Sequence, residues 1–393
     1  MHVIEVNDLA ELEQHKEAWT ALLNDIDDPS AVFANPGWAI EWWRHFRDEG
    51  RLGVLFLMAD ARLVGVAPLA IWRWPFAASP LRVLRFLGNG TSDHLDICIH
   101  PDFREHGLPV LGEHIRERMR WHFADLLDIP EDSPNLPALR TLLRGRLHST
   151  FLQRAIVCPY LHIGSSPWAD YYAGQRSKST RKDLERRRRR LGELGRMTFR
   201  RHIQADDIAS AFPRLFDLYE KRWNNKFLSV SFAGTRERAF YPAMAASLSR
   251  QGCLDLLTLE LDDQLLAFSL GASHKSRFTW LITAHDPDFA KFFPGELMLV
   301  FLLESVFQRG DIAEFDFTRG EEDYKYKWAD SERYNMRLLV ARPSPFGLLP
   351  FVTTSVYTAV RRLAKRSAFL RRMKLEVLGK LQGMKPRSHA SVN

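Results

Sequence analysis

Cysteine is scarce in this chain of 393 residues, and the three present, Cys98, Cys158 and Cys253, stand far apart with no CxxC spacing. A disulfide framework and a zinc ribbon are excluded, and a reducing cytoplasm fits best. Long apolar runs are also missing: none reaches the roughly 18 residues of a spanning helix, and the amino terminus has no basic stretch leading into an apolar core. The expectation is a cytoplasmic protein that is neither secreted nor membrane-spanning. HExxH and GxSxG are absent and the fourteen histidines are dispersed. Metal hydrolases and serine hydrolases therefore lack their residues, and no metal is expected. Gly88-Asn-Gly90 runs into the strand-like Leu95–Cys98 segment, not a helix, so a dinucleotide-binding fingerprint is excluded too.

What is present is ordinary globular composition, 46% hydrophobic and 26% charged, with a length that predicts two or three domains. The net charge of +7 is not evenly spread: from Arg361 onward ten basic residues face only Glu376. The remainder is near neutral, so basicity says little about a site. Residues 346–393 read as a basic helical tail, apolar at first and then alternating basic and apolar residues. Peripheral contact with the inner face of a membrane and packing on the body of the protein or a second protomer both fit it.

The rest divides into two halves with one order of elements, about 1–150 and 151–345. In the first, Leu12–Leu23 and Pro36–Phe46 read as helices, followed by strands at Leu52–Met58, Leu63–Ile71, Arg82–Leu87 and Leu95–Ile99, a helix over Phe103–His122 and a loop over Pro130–Pro137. In the second, helices at Ser177–Leu194 and Asp206–Asn224 precede a meander of Leu254–Leu261, Leu265–Ala272 and Phe278–Thr283. An apolar helix over Glu296–Phe307 and a strand over Ile312–Phe317 follow. Sequence identity between the halves is too low to call a repeat.

Four segments carry candidate chemistry. Pro294-Gly295 delivers the chain into a buried helix between two strands, so the unpaired N–H groups at Gly295, Glu296 and Leu297 can hold phosphate oxygens; a helix that merely starts after Pro-Gly is the plain alternative. The stretch Asp316 to Lys327 gathers Asp316, Arg319, Tyr324 and Lys325 at a strand end, although acidic residues opening a helix ahead of lysines is also ordinary. Ser92-Asp93-His94-Leu95-Asp96 places His94 and Asp96 on one face by period two, a candidate general base with its carboxylate, against capping of a turn by Asp alone. Finally, Lys178 to Arg190 is a basic helix with five consecutive arginines, of which Lys178, Arg181 and Lys182 lie nearest its start and are candidates for binding anions; a solvated face is the plain reading.

Six motifs together resemble a known family: Phe33-Ala-Asn-Pro-Gly-Trp-Ala-Ile-Glu-Trp-Trp43, Val66-Ala-Pro-Leu69, Phe86-Leu-Gly88 with Asp93-His-Leu-Asp96, the Ser177 segment with its arginines, His285-Asp-Pro-Asp-Phe-Ala-Lys291 with Pro294-Gly295, and Phe315-Asp-Phe-Thr-Arg-Gly-Glu-Glu-Asp-Tyr-Lys325. Their order resembles GNAT-superfamily acyltransferases of the CelD-type branch, similar to the FemAB aminoacyl transferases that carry two GNAT-like domains. The resemblance implies an α+β fold with tandem GNAT-like domains, mostly antiparallel mixed sheets flanked by helices, and the cofactor site in the second. It also implies acyl transfer, acetyl by default, from acyl-CoA to an amine or hydroxyl of a small or envelope-related saccharide acceptor, with Tyr324 protonating the thiolate and Asp316, His94 and Asp96 as further acid–base candidates. Where a GNAT pyrophosphate loop carries two glycines, this chain has Gly295 preceded by Phe292 and Phe293. FemAB-like transfer from charged tRNA, and a non-catalytic membrane-peripheral role in polysaccharide synthesis, are the alternatives.

Overall fold

The computed structural model describes residues 1–27, 32–73, 81–144, 148–223 and 230–360. The basic residues from Arg361 onward lie outside them. In chain order the strands are β1 (His2–Val6), β2 (Arg51–Leu52), β3 (Val54–Ala59), β4 (Arg62–Ala67), β5 (Leu69–Arg73), β6 (Arg82–Phe86), β7 (Cys98–Ile99), β8 (Phe123–Pro130), β9 (Ser149–His162), β10 (Met197–His202), β11 (Leu254–Leu261), β12 (Gln264–His274), β13 (Arg277–His285), β14 (Glu314–Asp316) and β15 (Ser331–Ala341). Four of them form one sheet in the order β1-β3-β4-β7, and the other eleven form a second in the order β10-β11-β12-β13-β14-β9-β15-β8-β6-β5-β2.

Local chemistry explains the meanders. The β3–β4 and β11–β12 hairpins both turn through an aspartate with φ of 53°, Asp60 and Asp262, a left-handed conformation that the short polar Asp side chain tolerates. All pairings are antiparallel except two: β6 with β8 and β13 with β14. Each parallel pair is joined across a helix, Pro101–Glu117 in the first half and Pro294–Arg309 in the second, as parallel strands require. The tandem GNAT-like organisation is thus visible as one strand–helix–strand crossover in each half.

The halves are joined by exchanged strands. Although β9 follows β8 in sequence, it pairs with β14, while β15, which follows β14, pairs with β8; the two exchanged strands pair with each other along the whole of β15. A division near residue 150 therefore falls where the chain crosses from one half of the sheet to the other. Sequence reasoning expected none of β8, β9 and β15, and it ran a helix to His122 that ends at Glu117. Only Cys98 and Ile99 of the expected Leu95–Ile99 strand pair, because Ser92–His94 are tied to the other half and Leu95 and Asp96 to Asp128, Ser133 and Asn135 of their own.

The core also crosses the junction. Helix Pro36–Phe46 starts on Asn35, whose side chain accepts from the Gly37 N–H at 2.8 Å, and it buries Trp38, Ile40, Trp42 and Trp43. It packs on helix Thr235–Arg250, with the Trp38 and Phe240 rings 5.5 Å apart and edge to face. Helix Pro294–Arg309 buries Leu297, Met298, Leu299, Leu302, Leu303 and Val306, which fixes where its first turn sits.

Candidate functional site

Strands β13 and β14 pair over only three residues, ending at Thr279 opposite Asp316, and then part. One step beyond, β13 carries an extra residue: Gly271 faces Trp280 and Leu270 faces Ile282, so Leu281 is a bulge. Such a bulge bends a strand and takes it out of its ladder. At the mouth, Thr318 (φ 58°) donates its hydroxyl to the Trp280 carbonyl at 3.0 Å. Tyr324 stands over the same tryptophan, ring centroids 6.0 Å apart and perpendicular. Its side chain is 39% exposed, and burial together with Glu322 pushes its phenol well above the usual range. The hydroxyl is therefore protonated at neutral pH, as a proton donor must be.

The helix start at Pro294 lies against the end of β13, where Gly295 meets His285. Phe293 enters it with a φ of 56°, and the Glu296 and Leu297 N–H groups both reach the Phe293 carbonyl at 3.0 Å, closing the first turn. Leu297 is buried, and the Glu296 carboxylate is paired with Arg176. Gly295 has a packing reason to be glycine: a Cβ there would lie 2.8 Å from His285 Nδ1. His285 is held neutral, its pKa lowered to about 4 by burial and by Arg222. Two cations missed by sequence reasoning stand at this helix start. Arg176 also lies over Trp328 at 5.1 Å, and Arg187 lies over Phe293 at 4.1 Å while bonding the Lys291 carbonyl. Arg187 belonged to a run whose members sequence alone does not tell apart, whereas Arg176 carries no local signal.

His94 and Asp96 do not form the expected pair. The Asp96 carboxylate accepts from Ser133, from Asn135 at 3.0 Å and from the Ile97 N–H at 2.7 Å, fastening the loop into the first half. His94 turns the other way, with Nε2 2.8 Å from Asp316 Oδ2 and Nδ1 2.9 Å from Asn335 Oδ1. The Asn335 amide nitrogen donates to the Asp93 carbonyl, so its oxygen accepts from His94. Both ring nitrogens then donate, and the ring is an imidazolium. The electrostatics agree: burial lowers the His94 pKa, but the charge and hydrogen bond of Asp316 outweigh it and the net shift is upward. For Asp316, burial is outweighed by His94, Arg333 and the Thr318 N–H, and its carboxyl sits well below the usual range. Both side chains are wholly buried, so as they stand they join the halves and reach no solvent-borne substrate.

Arg319 and Lys325 are likewise occupied. The Arg319 guanidinium binds Asp93 and the Ser92 carbonyl, with Asp128 at 3.4 Å. Burial pushes Asp128 up to about 6, against the pull of Arg319. Lys325 is 4% exposed and holds Glu322 at 3.0 Å and the Arg319 carbonyl at 2.5 Å. Their charges close the Thr318–Lys325 loop and are not offered to an anion. Phe33 lies edge to face with His94 at 5.9 Å and Trp38 Nε1 donates to Ser92 Oγ at 2.9 Å, so the aromatic motif near residue 33 is the seat of this junction.

On the arginine helix, Lys178–Gly192, Arg186 and Arg187 pair with Asp183 while Arg188 and Arg189 pair with Glu185. Lys178 and Lys182 are exposed and form no ion pair among the described residues. Arg181 is half-buried, its Nε is buried without a partner, and with Arg188 it lines a groove of about 540 Å³ whose other walls include Trp168, Tyr172, Phe199 and Phe301. Leu297 in the first turn of the Pro294 helix lines it too, which makes the groove continuous with that helix start.

Residues 178–326 match the model of an acetyltransferase (GNAT) domain. No curated protein matches the chain. Among solved structures, FemX superposes with a TM-score of 0.57 at 12% identity, covering 86% of this chain and 97% of that one. The C-terminal domain of a putative lysylphosphatidylglycerol synthetase from Agrobacterium fabrum gives 0.52 at 12% identity, covering 89% and 97%, and L-PGS from Bacillus licheniformis gives 0.50 at 12% identity, covering 90% and 97%. At such identity these likenesses speak for fold alone. With the matched domain lying over the parted strands and the helix start between them, residues 178–326 of the chain carry a GNAT acetyltransferase domain, and with it transferase activity.

Proposed function

We propose that the chain transfers an acyl group, acetyl in the simplest case, from acyl-CoA to an amine or hydroxyl of a small or saccharide acceptor, with the donor held in the second half. The observation that carries this reading is the gap where β13 leaves β14 at Thr279, with the start of the Pro294 helix against His285 at the end of the same strand and Arg176 and Arg187 at that start. Of the three N–H groups expected to hold phosphate, those of Glu296 and Leu297 are closed onto the Phe293 carbonyl, so the Gly295 N–H and the flanking cations are what this helix start offers a pyrophosphate. The aromatic groove with Arg181 and Arg188 suits the adenine and phosphate end of the same donor.

In this reading the acceptor nucleophile attacks the thioester carbonyl in the gap, the new C–N or C–O bond replaces the C–S bond, Tyr324 gives its proton to the departing sulfur, and the proton lost by the acceptor returns through solvent to the Tyr324 phenol. His94, Asp316 and Asp96 position the two halves and do not touch substrate. Peripheral placement on a membrane through residues 346–393 belongs to the same reading. Transfer from aminoacyl-tRNA is the second reading, favoured by exposed Lys178 and Lys182 at the head of an arginine-rich helix. Calorimetric titration with acetyl-CoA, set beside a gel shift with charged tRNA across a salt series, decides the donor. CoA binding should be saturable and weakly salt-dependent, whereas tRNA contacts weaken steeply with salt. Silence toward acetyl-CoA together with a salt-sensitive tRNA shift overturns the CoA reading.

A further inference from the structure

The helix at 345–360 is amphipathic in the wrong sense for water. None of its sixteen side chains is charged, and its outward arc presents Phe346, Leu349, Val352, Val356, Tyr357 and Val360, each about half exposed or more and Leu349 69%. Three of its four Ser and Thr residues, Thr354, Ser355 and Thr358, are half-buried on the protein side, Thr353 alone being exposed among the apolar residues, and on that side Phe351 packs against the small cluster of Leu81, Val83, Phe123, Leu339 and Ala341. A helix facing water carries the opposite pattern. Among the described residues no helix is long and apolar enough to cross a membrane.

An independent feature lies beside the start of this helix. Arg51, Arg73, Arg82 and Arg120 line a pocket of about 540 Å³ with Ile71 and Trp72, with a single carboxylate, Glu49, among the lining. Among the described residues, no carboxylate pairs with Arg73, Arg82 or Arg120, and the Arg82 Nε is buried with no hydrogen-bond partner. The two features meet at His122, two residues after Arg120. His122 Nδ1 accepts from the Arg82 N–H at 3.0 Å, its ring lies 5.6 Å from Phe346, and its carbonyl accepts from the Arg342 N–H at 3.0 Å.

We infer that this composite face docks on an anionic phospholipid surface, the outward arc of the helix lying among the lipids while the arginine pocket beside its start takes a lipid phosphate. The inference deepens the peripheral-membrane element of the proposed function and depends on neither donor nor acceptor. Apolar burial and attraction of basic residues to anionic lipid act together in interfacial binding. The sequence that follows the helix adds ten basic residues against one acidic. A second copy of the chain is the other occupant an apolar face invites, but pairing two such helices brings two of these basic segments together, which like-charge repulsion opposes.

The test uses the full chain and sedimentation with vesicles of phosphatidylcholine, with and without phosphatidylglycerol. The native protein should pellet only with the anionic vesicles. Val352→Glu with Val356→Glu, and separately Arg73→Ser with Arg120→Ser, should each lower partitioning by about tenfold or more with melting temperature unchanged, since these side chains are exposed. Should a double variant melt early, Val360→Glu and Arg120→Ser alone take its place. Inorganic phosphate matched in ionic strength to chloride separates the sources: a pocket for lipid phosphate is not displaced by it, and selective displacement marks a free-phosphate site and overturns the lipid assignment. If both double variants bind like native protein while deletion after Val360 abolishes binding, the tail alone is the anchor; the composite face is then wrong and the peripheral reading stands. Indifference of the native chain to anionic vesicles overturns both, and a native dimer split by Val352→Glu assigns the face to a second copy.

Discussion

His94 of the first half and Asp316 of the second form an ion pair of 2.8 Å that solvent does not reach. A buried pair of this kind is costly to make and costlier to break, since removing one partner strands the other and typically destabilises by about 3–5 kcal/mol. Asp316→Asn should therefore lower the melting temperature sharply, and the double variant with His94→Gln should recover part of the loss.

The pair also sets a pH dependence. His94 has a folded pKa raised above 6.5, so its stabilisation is complete below that value and is lost as pH rises through the raised pKa. Asp316 has a depressed pKa, so its contribution is kept down to the usual carboxylate range and is lost only under stronger acid. Asp128, pushed up to about 6, loses its contribution between the ordinary carboxylate range and that value and adds no slope above it. The melting temperature should fall as pH rises from neutral into the alkaline range, and calorimetric scans of His94→Gln should show this part of the slope removed.

At the helix start, Gly295→Ala places a Cβ against His285. Overpacking of this kind costs about 1–3 kcal/mol, so the variant should melt several degrees lower, and adding His285→Ala should restore it. In that relieved background Gly295→Val isolates the effect on the donor. Weakened acetyl-CoA binding with a normal melt is the expected result, whereas unchanged affinity removes these N–H groups from the donor site.

Tyr324→Phe keeps the ring over Trp280 and removes only the proton. A general acid contributes about 10²–10⁴ in rate, so turnover should drop at least a hundredfold while acetyl-CoA affinity and melting temperature hold. Full activity would exclude Tyr324 as the acid.

In the groove, Arg181→Ala with Arg188→Ala should weaken the donor about tenfold or more through lost charge-assisted contacts. A shortened donor lacking the nucleotide should bind both proteins alike, and a difference there would mean the arginines act elsewhere.

Much of this was legible in sequence because the signals are local. The strands of both meanders, the apolar Pro294 helix, the helix at Pro36 and the Asp316 strand end all follow from short-range pattern. The exchange of β9 and β15 was not, since partner choice among strands depends on residues far apart in the chain. Period two put His94 beside Asp96, but that holds only inside a strand, and Ser92–Asp96 is a loop whose carboxylates and imidazole are sorted by Arg319, Asn135 and Asn335. The distance in sequence from His94 to Asp316 hides the pair that matters. The occupation of Arg319 is hidden because its partner Asp93 lies in the other half, and that of Lys325 because the Arg319 carbonyl and Glu322 reach it only once their own loop has closed.

The central claim, that acyl-CoA sits where β13 parts from β14, is most directly tested by hydrogen–deuterium exchange with and without acetyl-CoA. Protection concentrated at Trp280–Thr283 and at Gly295–Leu297, with the first half unchanged, is the predicted result. Protection confined to the Gly88–Asp96 loop and helix Pro101–Glu117, or none at saturating acetyl-CoA, would contradict it.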